Sequence, residues 1–235
     1  LAQFPLALCG ASLSMVALPK LSGLAGMGDE QGFSNTLAQA LGLGLLIALP
    51  AALGLAVLRQ PIVDILFGHG AFTQADIAAT SNMLLGFTPA VIGLSLLATL
   101  LSAHLARRTL ARPLAGAGAG IILFLTLSLL LGDVMGPSSI ALAASLGVWL
   151  NVLVLMPGLR VLASLTRSLV HILPCALLMG LGTWLQLQFF PLWPSLSHGI
   201  SILFWAALYA VLTLAFRVPE ALIVCQALRG TKKRE

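Results

Sequence analysis

Seven apolar runs of about eighteen residues or more, at roughly 1–19, 37–58, 78–104, 114–132, 139–157, 168–190 and 198–216, leave this chain few ways to fold. A helix of about 20 apolar residues crosses a hydrocarbon core roughly 30 Å thick. In lipid every backbone polar group must be satisfied internally, which helices and closed barrels achieve. A barrel would need strict apolar–polar alternation, and the runs do not alternate. Charged residues make up 8% of the chain and apolar ones 59%, whereas a soluble domain is about 25% charged. The sequence therefore predicts an all-α integral membrane protein with seven transmembrane helices.

The cations orient those helices. The loops after the first, third, fifth and seventh runs hold Lys20; Arg107, Arg108 and Arg112; Arg160 and Arg167; and Arg217, Arg229, Lys232, Lys233 and Arg234. The other loops hold only Arg59. The positive-inside rule places the first group in the cytoplasm, with Leu1 outside and Glu235 inside. Asp64, Asp76 and Asp133 then fall in outer loops, and Phe189, Phe190 and Trp193 at the outer interface where aromatic belts form. The net charge of +5 does not point to nucleic acid, because the cations make no patch interleaved with aromatics on a soluble domain. The chain begins without Met and without a polar flank, so membrane helices are expected before Leu1.

Local signals are read within this frame. Pro50 and Pro89 sit near the middle of the second and third runs, where each removes one helix hydrogen bond. Gly116 and Gly120 form a small-xxx-small pair that predicts close packing against a neighbour. After Pro19, Leu21, Leu24 and Met27 predict a short surface helix, followed by a turn at Gly28-Asp29-Glu30. In LFGHGAFTQAD, Gly68 and Gly70 permit a reversal, Phe72 packs, and Thr73 with Asp76 caps the next helix. The tail VPEALIVCQALRGTKKRE is too short to cross again and is expected at the inner surface. Cys9, Cys175 and Cys225 have no C-x-x-C spacing and read as buried free thiols.

No Asp, Glu, Lys or Arg lies inside the seven runs, so the carboxylates or metal that group-transfer chemistry needs are not provided there. His69, His104, His171 and His198 show no ligand spacing, and GLSL at 93–96 lacks the second glycine of a nucleophile elbow. The expectation is a protein that is not an enzyme and carries no cofactor or metal.

Several ordered blocks carry a family resemblance. QFPLAL at 3–8 with LP at 18–19, GDEQGF at 28–33, ALPAALGL at 48–55, PIVDILF at 61–67 and GAFT at 70–73 resemble the lipid II flippases of the MurJ/MviN type. The likeness is dense over 1–113, fair over 114–157, where SIALAASLGVWLN is similar, and weak beyond. It implies a fourteen-helix bundle of two six-helix lobes plus two extra helices, within the multidrug/oligosaccharidyl-lipid/polysaccharide exporter superfamily. An outside start, seven helices and an inside end would correspond to helices eight to fourteen. Residues 1–157 would be a partial second lobe of five transmembrane helices, 158–216 two additional helices, and 217–235 a basic cytoplasmic tail.

The implied function is translocation of a lipid-linked anionic peptidoglycan precursor across the bacterial cytoplasmic (inner) membrane by alternating access. The arginines that grip its head would lie mostly in the missing N-terminal lobe. By resemblance Gln3 and Ser12 face the cavity, and Arg107, Arg108 and Arg112 meet lipid phosphates or a gate partner. Where relatives resemble F-Y-A-R-x-D-x-x-x-P this chain reads HLARRTLARP, so Arg107 and Pro113 match while Thr109 replaces the acid. Phe124 and Ser128 stand where some relatives have polar pairs able to hold a cation, which puts such a site in doubt here. Another exporter of the superfamily, for an oligosaccharide lipid or a drug, and a membrane scaffold without transport are the alternatives.

Overall fold

The computed structural model describes residues 12–136, 138–156, 161–189, 196–216 and 218–222. They form α1 (Ser12–Met27), α2 (Glu30–Val57), α3 (Arg59–Phe67), α4 (Gln74–Ala106), α5 (Ala111–Met135), α6 (Ser138–Leu155), α7 (Leu162–Phe189) and α8 (Leu196–Ala215). A further helical turn covers 219–222, and no strand occurs among the described residues. Five segments are long and apolar enough to cross a membrane: Glu30–Val57, Gln74–Ala106, Ala111–Asp133, Ser138–Leu155 and Leu165–Gln188. Phe204–Ala215 is a shorter apolar stretch. The molecule is thus an all-helical, multi-pass membrane protein.

Capping residues set several helix ends beyond the apolar runs. Gly28, at φ +70°, closes α1, and the Asp29 carboxylate accepts from the Gly32 amide at 2.8 Å to open α2. The helix therefore starts at Glu30 rather than near 37. At α4 the expected cap is present in full. The Thr73 hydroxyl accepts from the Asp76 amide at 3.3 Å, and the Asp76 carboxylate accepts from the Thr73 amide at 2.9 Å.

Two expectations are corrected, after Pro19 and at Gly68. The chain does not break after Pro19 into a separate surface helix: α1 runs through it to Met27, and Leu21 is completely buried. Apolar positions on both sides of Pro19 lie against α2 and α4, and that packing outweighs the lost backbone bond. PIVDILF lies in a nine-residue helix, α3, whose Val63 packs with Ile77, Leu84 and Phe72. Only Gly70 in that corner has positive φ, at +71°. Gly68 is needed for space, because a Cβ there would lie 2.4 Å from the Asp64 carbonyl oxygen. At the start of the tail, Val218, Glu220 and Ala221 are buried against the protein.

In space the helices follow the order α5, α6, α4, α2, α7, α8, with α1 laid against α2 and α4. Because lipid tails are as apolar as leucine, close approach of backbones rather than hydrophobic exclusion holds such helices together. Small residues make the seams. Gly86 faces Ala141 and Gly93 faces Val148 at the α4–α6 contact, and Gly44 faces Ser95 at the α2–α4 contact. Gly116 and Gly120 behave as expected, lying against Asn151 and Gly147 of α6. Polar side chains fasten the same seams: Ser145 donates to the Gly86 carbonyl at 2.5 Å and the Trp149 indole to the Pro89 carbonyl at 3.0 Å.

Candidate functional site

Arg112 lies in the first turn of α5, and Arg107 and Arg108 lie on the turn that joins α4 to it. The backbone of that joining turn is a Schellman closure. The Arg108 amide donates to the Leu105 carbonyl at 2.9 Å and the Thr109 amide to the His104 carbonyl at 2.9 Å, which satisfies two orphan carbonyls of the helix end. The residue between them must be left-handed, a position usually filled by glycine. Here it is Arg108, at φ +56°, the one described non-glycine residue with positive φ.

His104 locks this turn to a second helix end. It is 3% exposed, its Nδ1 lies 3.0 Å from Thr109 Oγ1, and its Nε2 lies 3.0 Å from the Leu155 carbonyl oxygen. A carbonyl only accepts, so Nε2 carries the proton and donates. Leu155 is the last residue of α6, and its carbonyl is one of the four that a helix terminus leaves without an internal partner. One imidazole thus caps α6 and braces the closure of α4. Thr109, which replaces the acid of the resembled motif, supplies the other contact.

Arg107 is turned toward α2. Its Nη2 pairs with Glu30 Oε2, and its guanidinium carbon lies 4.4 Å from the Phe33 ring centroid. Glu30 is 76% exposed, so this ion pair contributes little to stability, and the cation–π contact adds about 0.5–1 kcal/mol at such a site. Arg112 sits in the first turn of α5, whose N-cap Leu110 offers no side-chain acceptor. A cation at a helix N-terminus opposes the macrodipole, and an incoming anion reverses that penalty.

The structure therefore brings Arg107, Arg108 and Arg112 together at the α4–α5 connection, which contacts the start of α2 and the end of α6. Ser12 lies in α1, and Gln3 lies outside the described residues. Glu30, Phe33 and His104 were not singled out as site residues by the sequence; GDEQGF, which holds the first two, stood out only as a block. On α5, Phe124 lines an apolar groove of about 310 Å³ together with Gly120, Gly147 and Asn151. Ser128 Oγ is buried without a hydrogen-bond partner. Among the described residues no three His, Cys, Asp or Glu gather as metal ligands.

Comparison with known proteins fits this architecture. The profile of the family described as lipid II flippase MurJ matches residues 1–204. The chain belongs to the MurJ family. It is 29% identical over 208 residues to the probable lipid II flippase MurJ of Vibrio cholerae, covering 86% of this chain and 39% of that protein. It is 32% identical over 152 residues to the corresponding Rickettsia prowazekii protein, covering 63% of this chain and 29% of that one. A solved structure of lipid II flippase MurJ in an inward closed conformation superposes with a TM-score of 0.75 at 26% identity, over 91% of this chain and 44% of the other. The chain thus spans less than half the length of the MurJ relatives it matches.

Proposed function

We propose that this MurJ-family chain is the C-terminal part of a flippase that carries lipid II across the cytoplasmic membrane by alternating access, without catalysing a reaction. The observation that supports it is the likeness of nearly the whole chain to a solved flippase of that substrate. In this reading α1 to α6 belong to the second lobe and α7 and α8 form an additional pair. The greater length of the relatives leaves room for a first lobe that supplies most of the cationic grip. With the start of α1 outside and the tail inside, there are seven crossings. The test is complementation of a flippase-depleted strain by the full-length gene; failure to restore growth, with the protein present in the membrane, would refute it.

The same reading assigns the α4–α5 turn to the inner side, where Arg107, Arg108 and Arg112 meet the anionic phosphates of the lipid-linked substrate. Arg108 supports this best. A non-glycine residue held left-handed costs on the order of 1–2 kcal/mol, and such strain collects at functional positions. The Arg108→Gly protein is therefore expected to be at least as stable as the parent, by up to about 1 kcal/mol, while complementing poorly. Normal complementation by this variant would remove Arg108 from the site. Orientation has its own check. Cysteines replacing Arg108 and Asp133 should react with a membrane-impermeant thiol reagent from opposite sides of the bilayer, and labelling from one side would overturn the topology.

A further inference from the structure

A proline in a helix cannot donate to the carbonyl four residues earlier. In lipid that carbonyl must find another donor or stay unsatisfied. The prolines inside the two longest candidate spans are handled differently. In α4 the carbonyl left by Pro89 belongs to Leu85, and Thr88 of the same helix donates its hydroxyl to it at 2.7 Å. That repair is internal. In α2 the carbonyl left by Pro50 belongs to Leu46, and the donor comes from another helix: Tyr209 of α8 gives its hydroxyl at 2.7 Å across 163 positions. Tyr209 is the only tyrosine in the chain and is buried.

A second contact lies one turn away on the same face of α2. Gly42 packs against the carboxylate of Glu220, and a Cβ there would stand 2.6 Å from Oε1. Glu220 is 7% exposed and accepts a hydrogen bond from Ser168 of α7. Positions 42 and 46 are one turn apart, so Tyr209 of α8 and Glu220 of the segment after it meet the same face of α2, just before Pro50. The stretch of α2 they hold also carries Glu30 and Phe33, the partners of Arg107.

We propose that Tyr209 is a positioning residue that fixes α2 where Pro50 removes a backbone hydrogen bond, with Glu220 seating the following segment beside it, so that the last helix sets the placement of the α2 half that holds Arg107. The consequence for transport rests on the flippase reading; the contact itself does not, and its test uses no transport measurement. Amide hydrogen exchange of residues 47–54 is followed by mass spectrometry on the full chain in lipid nanodiscs. Tyr209→Phe keeps the ring and removes the donor, and should speed that exchange about tenfold. Pro50→Ala returns a backbone N–H to the Leu46 carbonyl, so in that background Tyr209→Phe should change exchange less than about twofold. Unchanged exchange in the Pro50 chain, or an equal change in both backgrounds, would overturn the proposal, since a packing role does not depend on Pro50. If Tyr209→Phe alone fails to fold, a folded Pro50→Ala, Tyr209→Phe double variant supports it and an unfolded one refutes it.

Discussion

Gly147→Ala is expected to separate α5 from the rest of the molecule. A Cβ at 147 would stand 2.7 Å from the Gly120 carbonyl oxygen, and one at 120 would stand 2.8 Å from the Gly147 carbonyl oxygen. Both obstacles are backbone, so no side chain can turn aside and the two helices must move apart. Among the described residues nothing else retains α5: it packs along α6 and only marginally on α4, while Leu114, Ile122 and Leu129 on its other side are 71%, 67% and 79% exposed. Overpacking of this kind costs about 1–3 kcal/mol, and the upper end is expected because a whole interface shifts. Gly118, on the same helix, has nothing within 4 Å of its Cβ position. Gly118→Ala should therefore be neutral or stabilising by about 0.5–1 kcal/mol through helix propensity alone. Thermal unfolding of both variants in detergent decides the matter, and equal midpoints would show that the Gly120–Gly147 contact does not hold α5.

His104→Phe should be the next most damaging change. The ring is replaced by one of similar size, so packing is largely kept, while the donor to the Leu155 carbonyl and the partner of Thr109 are both lost. Leaving a buried polar group unsatisfied costs about 1–3 kcal/mol, which places the loss at roughly 2–3 kcal/mol here. The distinguishing feature is that two helix ends fail together. Amides in the last turns of α4 and of α6 should both exchange faster, although they are 51 positions apart in sequence. Faster exchange confined to α4 would show that His104 braces its own turn and does not cap α6.

Some of this arrangement is legible along the chain because its physics is local. Thr73 and Asp76 stand three apart, so the cap at the start of α4 follows from spacing and backbone geometry alone. Gly116 and Gly120 lie four apart on one helix face, and their role as a packing surface follows from that. The family resemblance fixed the protein class, and the match of residues 1–204 agrees with it. The errors arose where a local signal met a distant partner. Pro19 reads as a helix end, yet Leu21 on its far side is buried in the core and the helix continues. The burial of Glu220 is likewise not legible along the chain, because its partner Ser168 lies 52 positions earlier.

Hydropathy and cation spacing, which need no knowledge of neighbours, determined that this is a multi-pass helical membrane protein and marked the α4–α5 turn as its most basic interhelical connection. Which helix each carbonyl, imidazole and glycine would meet was decided only in three dimensions. Leu46 gains Tyr209 and Leu155 gains His104 through contacts separated by 163 and 51 positions. The reason is that an orphaned backbone group in an apolar medium demands some donor without specifying which, and packing of the helices supplies it.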